Sequence, residues 1–211
     1  MMNLTDFAIL SFASLFVIVD PVGLIPAFLA MTPSNTPAER IRMARLASVV
    51  TFGILILSLL CGQRLLLTFG ITLPAFEIAG GIVLLLVALD MLRARRTTIK
   101  ETQEEKAEGI TKEDVAITPM AIPMLAGPGA ITAVILLSQK AATVSHQVVL
   151  AGNILLVSLL TFLVLWFVAI HSHKISVIAL KITGRLMGLL LAAIAVQFIL
   201  NGLTVTGFLR Q

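Results

Sequence analysis

Residues 19–26, which read VDPVGLIP, interrupt the first long apolar stretch of the chain, and residues 122–130, which read IPMLAGPGA, interrupt the fourth. Proline removes a backbone donor and clashes with the preceding helical turn, while glycine adopts backbone conformations that other residues avoid. Each segment sets prolines beside a glycine within sequence that is otherwise apolar. The two segments therefore predict two helices that are broken near mid-membrane.

The sequence around these breaks is typical of an integral membrane protein. Hydrophobic residues make up 58% of the 211 residues and charged residues only 12%, whereas a soluble domain carries roughly a quarter charged residues. A helix needs about 20 apolar residues to cross the hydrocarbon. An all-α fold of six transmembrane helices is therefore predicted, within one membrane domain (1–211) in a lipid bilayer. The six stretches are residues 4–31, 44–61, 74–92, 115–138, 147–170 and 182–203.

The basic residues predict how these helices are oriented, because cytoplasmic loops carry an excess of Lys and Arg. With six alternating spans, twelve of the fifteen Lys and Arg residues fall on one side, which is expected to be cytoplasmic. Both termini are then periplasmic, in an inner membrane of the bacterial type. The net charge of +4 is loop charge and predicts no nucleic-acid partner. The periplasmic side carries only Arg64, Lys140 and Arg210.

The two halves of the chain match at a fixed offset of 107 residues. Each half holds three helices, about residues 4–92 and 115–203, with a linker at 93–114, so the second half enters the membrane from the opposite side. Inverted repeats with breaks at matching places recur in secondary transporters. Chance similarity between apolar helices is the alternative. The aligned pairs are Pro21 with Pro128, Gly81 with Gly188, Leu84 with Leu191, Ala88 with Ala195, and Asp90 with Gln197.

The breaks predict a substrate site. Backbone groups freed by a break cannot face lipid, where each would cost several kcal/mol, so they are satisfied by protein or line a wet cavity. Asp20 lies in the first break, and a carboxylate at that depth is usually functional, although Asp20 is equally favoured as the cap of a half-helix that starts at Pro21. Proline kinks that only shape the bundle are the alternative reading. The predicted substrate-binding residues are Asp20, Pro21, Gly23, Pro26, Gly127, Pro128, Gly129 and Thr132.

The remaining polar residues predict structure rather than chemistry. Glu77 and Asp90 lie near opposite ends of helix three and are expected at the membrane interfaces. Interhelical hydrogen bonds are expected for Asn153, Gln197 and Asn201. The chain has no HExxH, GxSxG or Walker motif, so no catalytic residue, metal or cofactor is predicted. An intramembrane enzyme would need a cluster of ionisable residues, and a purely structural membrane protein would not need matched breaks.

Four segments together resemble the signatures of the MarC family. They are DPVGLIP at 20–26, IPMLAGPG at 122–129, IAGGI at 78–82, and residues 185–202 of the last helix, and they follow one another in order along the chain. The resemblance implies six spans and proton-coupled transport of small neutral amino acids such as glycine and alanine. An exporter of amino acids or other small solutes is the alternative, and an oligomer is possible. Members of the family carry Asn or Asp at the position of Asp20.

Overall fold

A computed structural model describes residues 3–33, 35–92, 116–141, 143–171 and 177–205, and the regular structure in these ranges is helical. The predicted linker at 93–114 and the C-terminal Arg210 lie outside the described residues. One of the helices, α5, has π geometry. The helices are α1 (Leu4–Val19), α2 (Ile25–Met31), α3 (Pro37–Thr68), α4 (Leu73–Leu92), α5 (Ala116–Leu125), α6 (Pro128–Lys140), α7 (Val144–His171) and α8 (Val177–Val205).

Four of these helices are long and apolar enough to cross a membrane, namely α3, α4, α7 and residues Ile182–Val205 of α8. Their outer surfaces carry large apolar side chains, and Leu57 and Leu60 are 61% and 70% exposed. Contiguous apolar surface of this kind is unfavourable in water and favourable in lipid. The prediction of an all-α integral membrane protein is confirmed.

Helix α3 begins at Pro37, seven residues before the predicted span at 44. The Thr36 hydroxyl accepts a hydrogen bond from the Glu39 backbone N–H at 3.3 Å, and the Glu39 carboxylate accepts one from the Thr36 N–H at 3.0 Å. This capping box satisfies two N-terminal donors, and Pro37 occupies the first helical position, where proline is favoured. The helix therefore starts in polar sequence, which a search for apolar stretches does not detect.

Helices α4 and α8 pack against each other through glycine. A Cβ at Gly81 would lie 2.8 Å from the carbonyl oxygen of Ala195, and a Cβ at Gly188 would lie 3.2 Å from the carbonyl oxygen of Ala88. The residue numbers fall on one helix as they rise on the other, so the pair is antiparallel. Small residues let two backbones approach closely in a membrane, where no hydrophobic force drives helices together.

Helices α3 and α7 pack on each other, and the interrupted helices pack on one or both of them. Helix α1 packs on α7, while α5 and α6 pack on α3, and α6 also contacts α1 and α4. The Asn153 side chain donates hydrogen bonds to the Ala8 carbonyl oxygen at 2.9 Å and to the Ser11 hydroxyl at 2.8 Å. These bonds tie α7 to α1, so the expected interhelical role of Asn153 is confirmed.

Candidate functional site

Asp20 sits in the break between α1 and α2 in a left-handed conformation, with φ 47° and ψ 64°. Its backbone N–H closes α1 by donating to the Phe16 carbonyl oxygen at 3.1 Å. Its carboxylate Oδ1 accepts a hydrogen bond from the Gly23 N–H at 2.9 Å, and the residue is only 7% exposed. Asp and Asn tolerate the left-handed region because their short side chains bond the local backbone. The carboxylate therefore holds the break in shape.

Residues 21–24 form a turn, and α2 begins only at Ile25. The Leu24 N–H donates to the Asp20 carbonyl oxygen at 3.2 Å, and the Ile25 N–H donates to the Val22 carbonyl oxygen at 3.2 Å. The interpretation that a half-helix starts at Pro21 is therefore wrong by four residues. Asp20 caps this turn rather than the first turn of α2.

Gly23 is required by the packing of this turn. A Cβ there would overlap the Asp20 carboxylate and would lie 2.6 Å from the Met91 terminal methyl. Met91 is the penultimate residue of α4. The first break therefore packs against the C-terminal end of α4, which precedes the linker.

The second break separates α5 from α6. The Ala126 N–H donates to the carbonyl oxygen of Ala121, five residues earlier, at 2.8 Å, and Gly127 is then extended, with φ −71° and ψ 171°. Pro119 and Pro123 carry no N–H, which favours an irregular ladder in α5. Gly127 is buried and forms the N-cap of α6.

Two predicted site residues at the start of α6 face α4. A Cβ at Gly129 would overlap the side chain of Leu84, and a Cβ at Gly80 would lie 2.8 Å from the Cβ of Thr132. Thr132 is fully buried, and its hydroxyl donates to the Pro128 carbonyl oxygen at 2.8 Å. Gly129 and Thr132 therefore set how closely α6 approaches α4.

The eight predicted site residues form two groups at different heights along α4. Gly23 lies at the level of the Met91 side chain, whereas Gly129 lies at the level of the Leu84 side chain. Seven residues of helix separate these levels, which is about 10 Å at 1.5 Å per residue. The chain is interrupted where the sequence predicts, and the two breaks are staggered. Buried members are Asp20, Pro21, Gly127, Gly129 and Thr132, Gly23 is half-buried, and Pro26 and Pro128 are exposed.

Residues 5–206 match the MarC family of integral membrane proteins. The chain belongs to the MarC family. It is 38% identical to a UPF0056 membrane protein of Methanocaldococcus jannaschii over 94% of this chain and 96% of that protein. It is also 36% identical to the UPF0056 membrane protein YvbG of Bacillus subtilis (94% of each chain) and 33% identical to YhcE of Escherichia coli (91% and 89%). No solved structure matches the chain.

The burial of one polar residue of this MarC protein does not follow from its place near a helix end. Glu77 lies in the first two turns of α4 and was expected at a membrane interface, yet it is only 9% exposed. Its carboxylate accepts a hydrogen bond from the Asn201 side chain of α8. Glu77 is four residues before Gly81 and seven before Leu84, so it shares their helix face. That spacing was the available signal that Glu77 points into the helix pair.

Replacing Asp20 should separate its capping role from its charge. We expect Asp20→Asn to keep nearly the full thermal stability of the MarC protein, because an amide oxygen still accepts from the Gly23 N–H and Asn tolerates positive φ. Asp20→Ala loses both properties and should destabilise the fold by roughly 2 kcal/mol. Thermal unfolding in detergent measures both, with exposed Asp6→Ala as the control. Equal stability of Asp20→Asn and Asp20→Ala would show that the cap contributes nothing.

Proposed function

We propose that this MarC-family protein is a secondary transporter of small neutral amino acids, with glycine and alanine as preferred substrates and a proton as the coupling ion. The observation that carries the proposal is the pair of helix interruptions at Asp20 and Gly127, which align at the 107-residue offset. Discontinuous helices at corresponding places in two halves are the usual location of substrate sites in such carriers. Burial of the Asp20 carboxylate in one of them adds to this support.

The chemistry of the two breaks is suited to an amino acid zwitterion. Pro128 has no N–H, so the first free backbone donors of α6 come from Gly129 and Ala130, beside the positive end of the helix dipole. These groups suit a carboxylate. The Asp20 carboxylate and the carbonyl groups at the end of α1 suit an ammonium group. Gly129 packs directly on the Leu84 side chain, which leaves little room at the α6 terminus for a large substrate side chain.

The stagger of the breaks implies movement during transport. A zwitterion has one carbon between its two charged groups and cannot bridge a stagger of about 10 Å along α4. We therefore propose that the substrate engages the α6 terminus and Asp20 together only after one half slides against the other. Rocking of one repeat against another around a site is the common form of alternating access.

We further propose that the chain is a single domain of six spans in two inverted repeats, with α1 and α2 as the first span and α5 and α6 as the fourth. Gly81 of α4 corresponds to Gly188 of α8 at the 107-residue offset, and Ala88 of α4 corresponds to Ala195 of α8. The contact between Gly81 and Ala195 therefore has a symmetric counterpart, which is the contact between Gly188 and Ala88. Because α4 and α8 are antiparallel, this correspondence fits a two-fold axis in the membrane plane. Helix α3 starts at Pro37 and α7 at Val144, which is the same offset.

The proposed topology has both termini outside the cytoplasm. In a background without Cys61, we expect Gln211→Cys to react with an impermeant maleimide on intact cells, because the excess of Lys and Arg lies on the other side. Thr97→Cys in the linker serves as the paired control and should react only after permeabilisation. Labelling of position 97 on intact cells, with position 211 protected, would reverse the orientation.

Uptake into proteoliposomes tests the transport proposal. With the purified protein and an inwardly directed proton gradient, we expect radiolabelled alanine and glycine to accumulate and leucine and phenylalanine not to. Protein-free liposomes and collapse of the gradient by a protonophore are the controls. Alanine movement only in the outward direction would favour the alternative of an exporter, and accumulation that survives the protonophore would exclude the proton as coupling ion.

A further inference from the structure

At the opposite end of α4 from Met91 lies a second polar group, in which Glu77 is buried, Asn201 is half-buried and Gln197 is exposed. It consists of Glu77 with the two α8 side chains Asn201 and Gln197, and we refer to it as the Glu77 cluster. The Asn201 amide donates to the Glu77 carboxylate, and the Gln197 Nε2 donates to the Asn201 Oδ1 at 2.7 Å. The cluster is therefore an ordered chain of donors that ends on a carboxylate.

Glu77 is only 9% exposed and lies beside a close contact between α4 and α8. A Cβ at Gly202 would lie 2.9 Å from the Pro74 carbonyl oxygen and 2.6 Å from the Ile78 side chain, so α8 approaches the α4 backbone at Pro74, three residues before Glu77. A carboxylate in such surroundings is expensive to charge unless another charge or several hydrogen bonds compensate it. The neutral carboxyl group needs no such compensation and can keep its bond to Asn201. Loss of a proton from Glu77 therefore requires compensating charges or hydrogen bonds, and binding of a proton removes that requirement.

Among the described residues, the groups facing Glu77 come from two helices. Helix α8 supplies the neutral amide of Asn201, with Gln197 behind it. Helix α6 supplies a positive charge, since Lys140 at its C-terminus interacts electrostatically with Glu77 while remaining exposed. The other acidic residue of α4 is Asp90, near the far end of the helix. The position of α6 therefore contributes to the charge state of Glu77 through Lys140, in addition to burial and the bond from Asn201.

Helix α6 connects the Glu77 cluster to the second break. It begins at Pro128, next to the proposed substrate groups, and ends at Lys140. Its Thr132 packs on Gly80, which is three residues, or about one turn, from Glu77. A displacement of α6 when substrate binds would move both Lys140 and the Thr132 contact relative to Glu77. One rigid helix thus joins the two sites.

We propose that Glu77 is the proton-binding group of the carrier and that α6 couples its protonation to substrate binding. This inference rests on the proposed transport function. Glu77 takes up a proton as a neutral carboxyl group on the side of higher proton concentration. After the transition it releases the same proton to the other side, and Lys140 compensates the carboxylate that remains. Asp20 then shapes the first break and contacts substrate without carrying the coupled proton.

Comparing exchange with gradient-driven uptake tests the coupling role. Glu77→Gln keeps an oxygen that accepts from Asn201 and removes the titrating proton. We expect it to retain alanine counterflow between equal proton concentrations within about threefold of wild type, and to lose proton-driven accumulation and the pH dependence of counterflow. Asp6→Asn, an exposed carboxylate at the start of α1, is the matched control and should behave as wild type in both assays.

The outcomes separate this inference from the proposed function. Wild-type protein without alanine counterflow would overturn both. Normal counterflow together with normal gradient-driven accumulation by Glu77→Gln would overturn the role of Glu77 alone. If Glu77→Gln does not fold, the test uses Lys140→Gln instead, because Lys140 is exposed and its replacement should not disturb folding. Loss of the positive charge should shift the pH profile of uptake to higher pH, and an unchanged profile would contradict the proposal.

Discussion

We expect Gly129→Leu to abolish alanine exchange in proteoliposomes. A Cβ at this position already overlaps the Leu84 side chain of α4, so a leucine must displace Leu84 or α6, and it fills the space beside the first free N–H groups of α6. Overpacking of this kind costs about 1–3 kcal/mol, so thermal stability should also fall. Gly152→Leu on α7 is the matched control, because no atom lies within 4 Å of a Cβ there.

A second substitution separates packing from substrate access. Leu84→Ala removes the side chain that Gly129→Leu would strike, so the double variant should recover much of the lost stability. If Gly129 must be small for a substrate to reach the α6 terminus, exchange remains abolished in the double variant. Recovery of both stability and exchange would mean that Gly129 serves helix packing alone and that the site lies elsewhere.

We expect Gly81→Leu to prevent accumulation of folded protein. A Cβ there would lie 2.8 Å from the Ala195 carbonyl oxygen and 3.2 Å from the Ile199 backbone N, and a backbone cannot rotate away as a side chain can. The α4–α8 pair would have to separate, at a cost of about 3 kcal/mol or more. Size-exclusion profiles and thermal unfolding in detergent measure the effect.

Substitutions at two other glycines serve as comparisons for this prediction. A Cβ at Gly188 meets the Ala88 carbonyl oxygen at 3.2 Å, so Gly188→Ala should be milder than Gly81→Ala. Gly184 has open space around its Cβ position, and Gly184→Leu should leave the protein stable in detergent. Stable, monodisperse Gly81→Leu protein would contradict the close α4–α8 contact described above.

The sequence predicted the breaks because proline and glycine act locally. Pro21 and Pro128 limit the hydrogen bonds that nearby residues can make, whatever surrounds them. The height of each break along the bundle could not be predicted in this way, because it depends on which α4 residues the break contacts. Gly23 on Met91 and Gly129 on Leu84 are packing relationships between distant parts of the chain, and local patterns do not encode them.

Helix boundaries and buried polar residues were predicted less well, each for an identifiable reason. The start of α3 follows from the capping box of Thr36 and Glu39, a local signal within polar sequence that the search for apolar stretches passed over. The burial of Glu77 follows from its place on the face of α4 that also carries Gly81 and Leu84. Its place near the helix end predicts depth in the membrane and not whether another helix covers it, and α8 covers it there through Asn201.

Counterflow by the wild-type protein tests the central claim most directly, since it requires only binding and translocation and no driving ion. Proteoliposomes preloaded with unlabelled alanine are diluted into a trace of radiolabelled alanine at one pH. We expect labelled alanine to accumulate transiently above its equilibrium level, glycine and serine inside to support the same overshoot, and leucine inside to give none. No overshoot with any of the three small amino acids, from protein that is folded and correctly inserted, would contradict the assignment as their transporter.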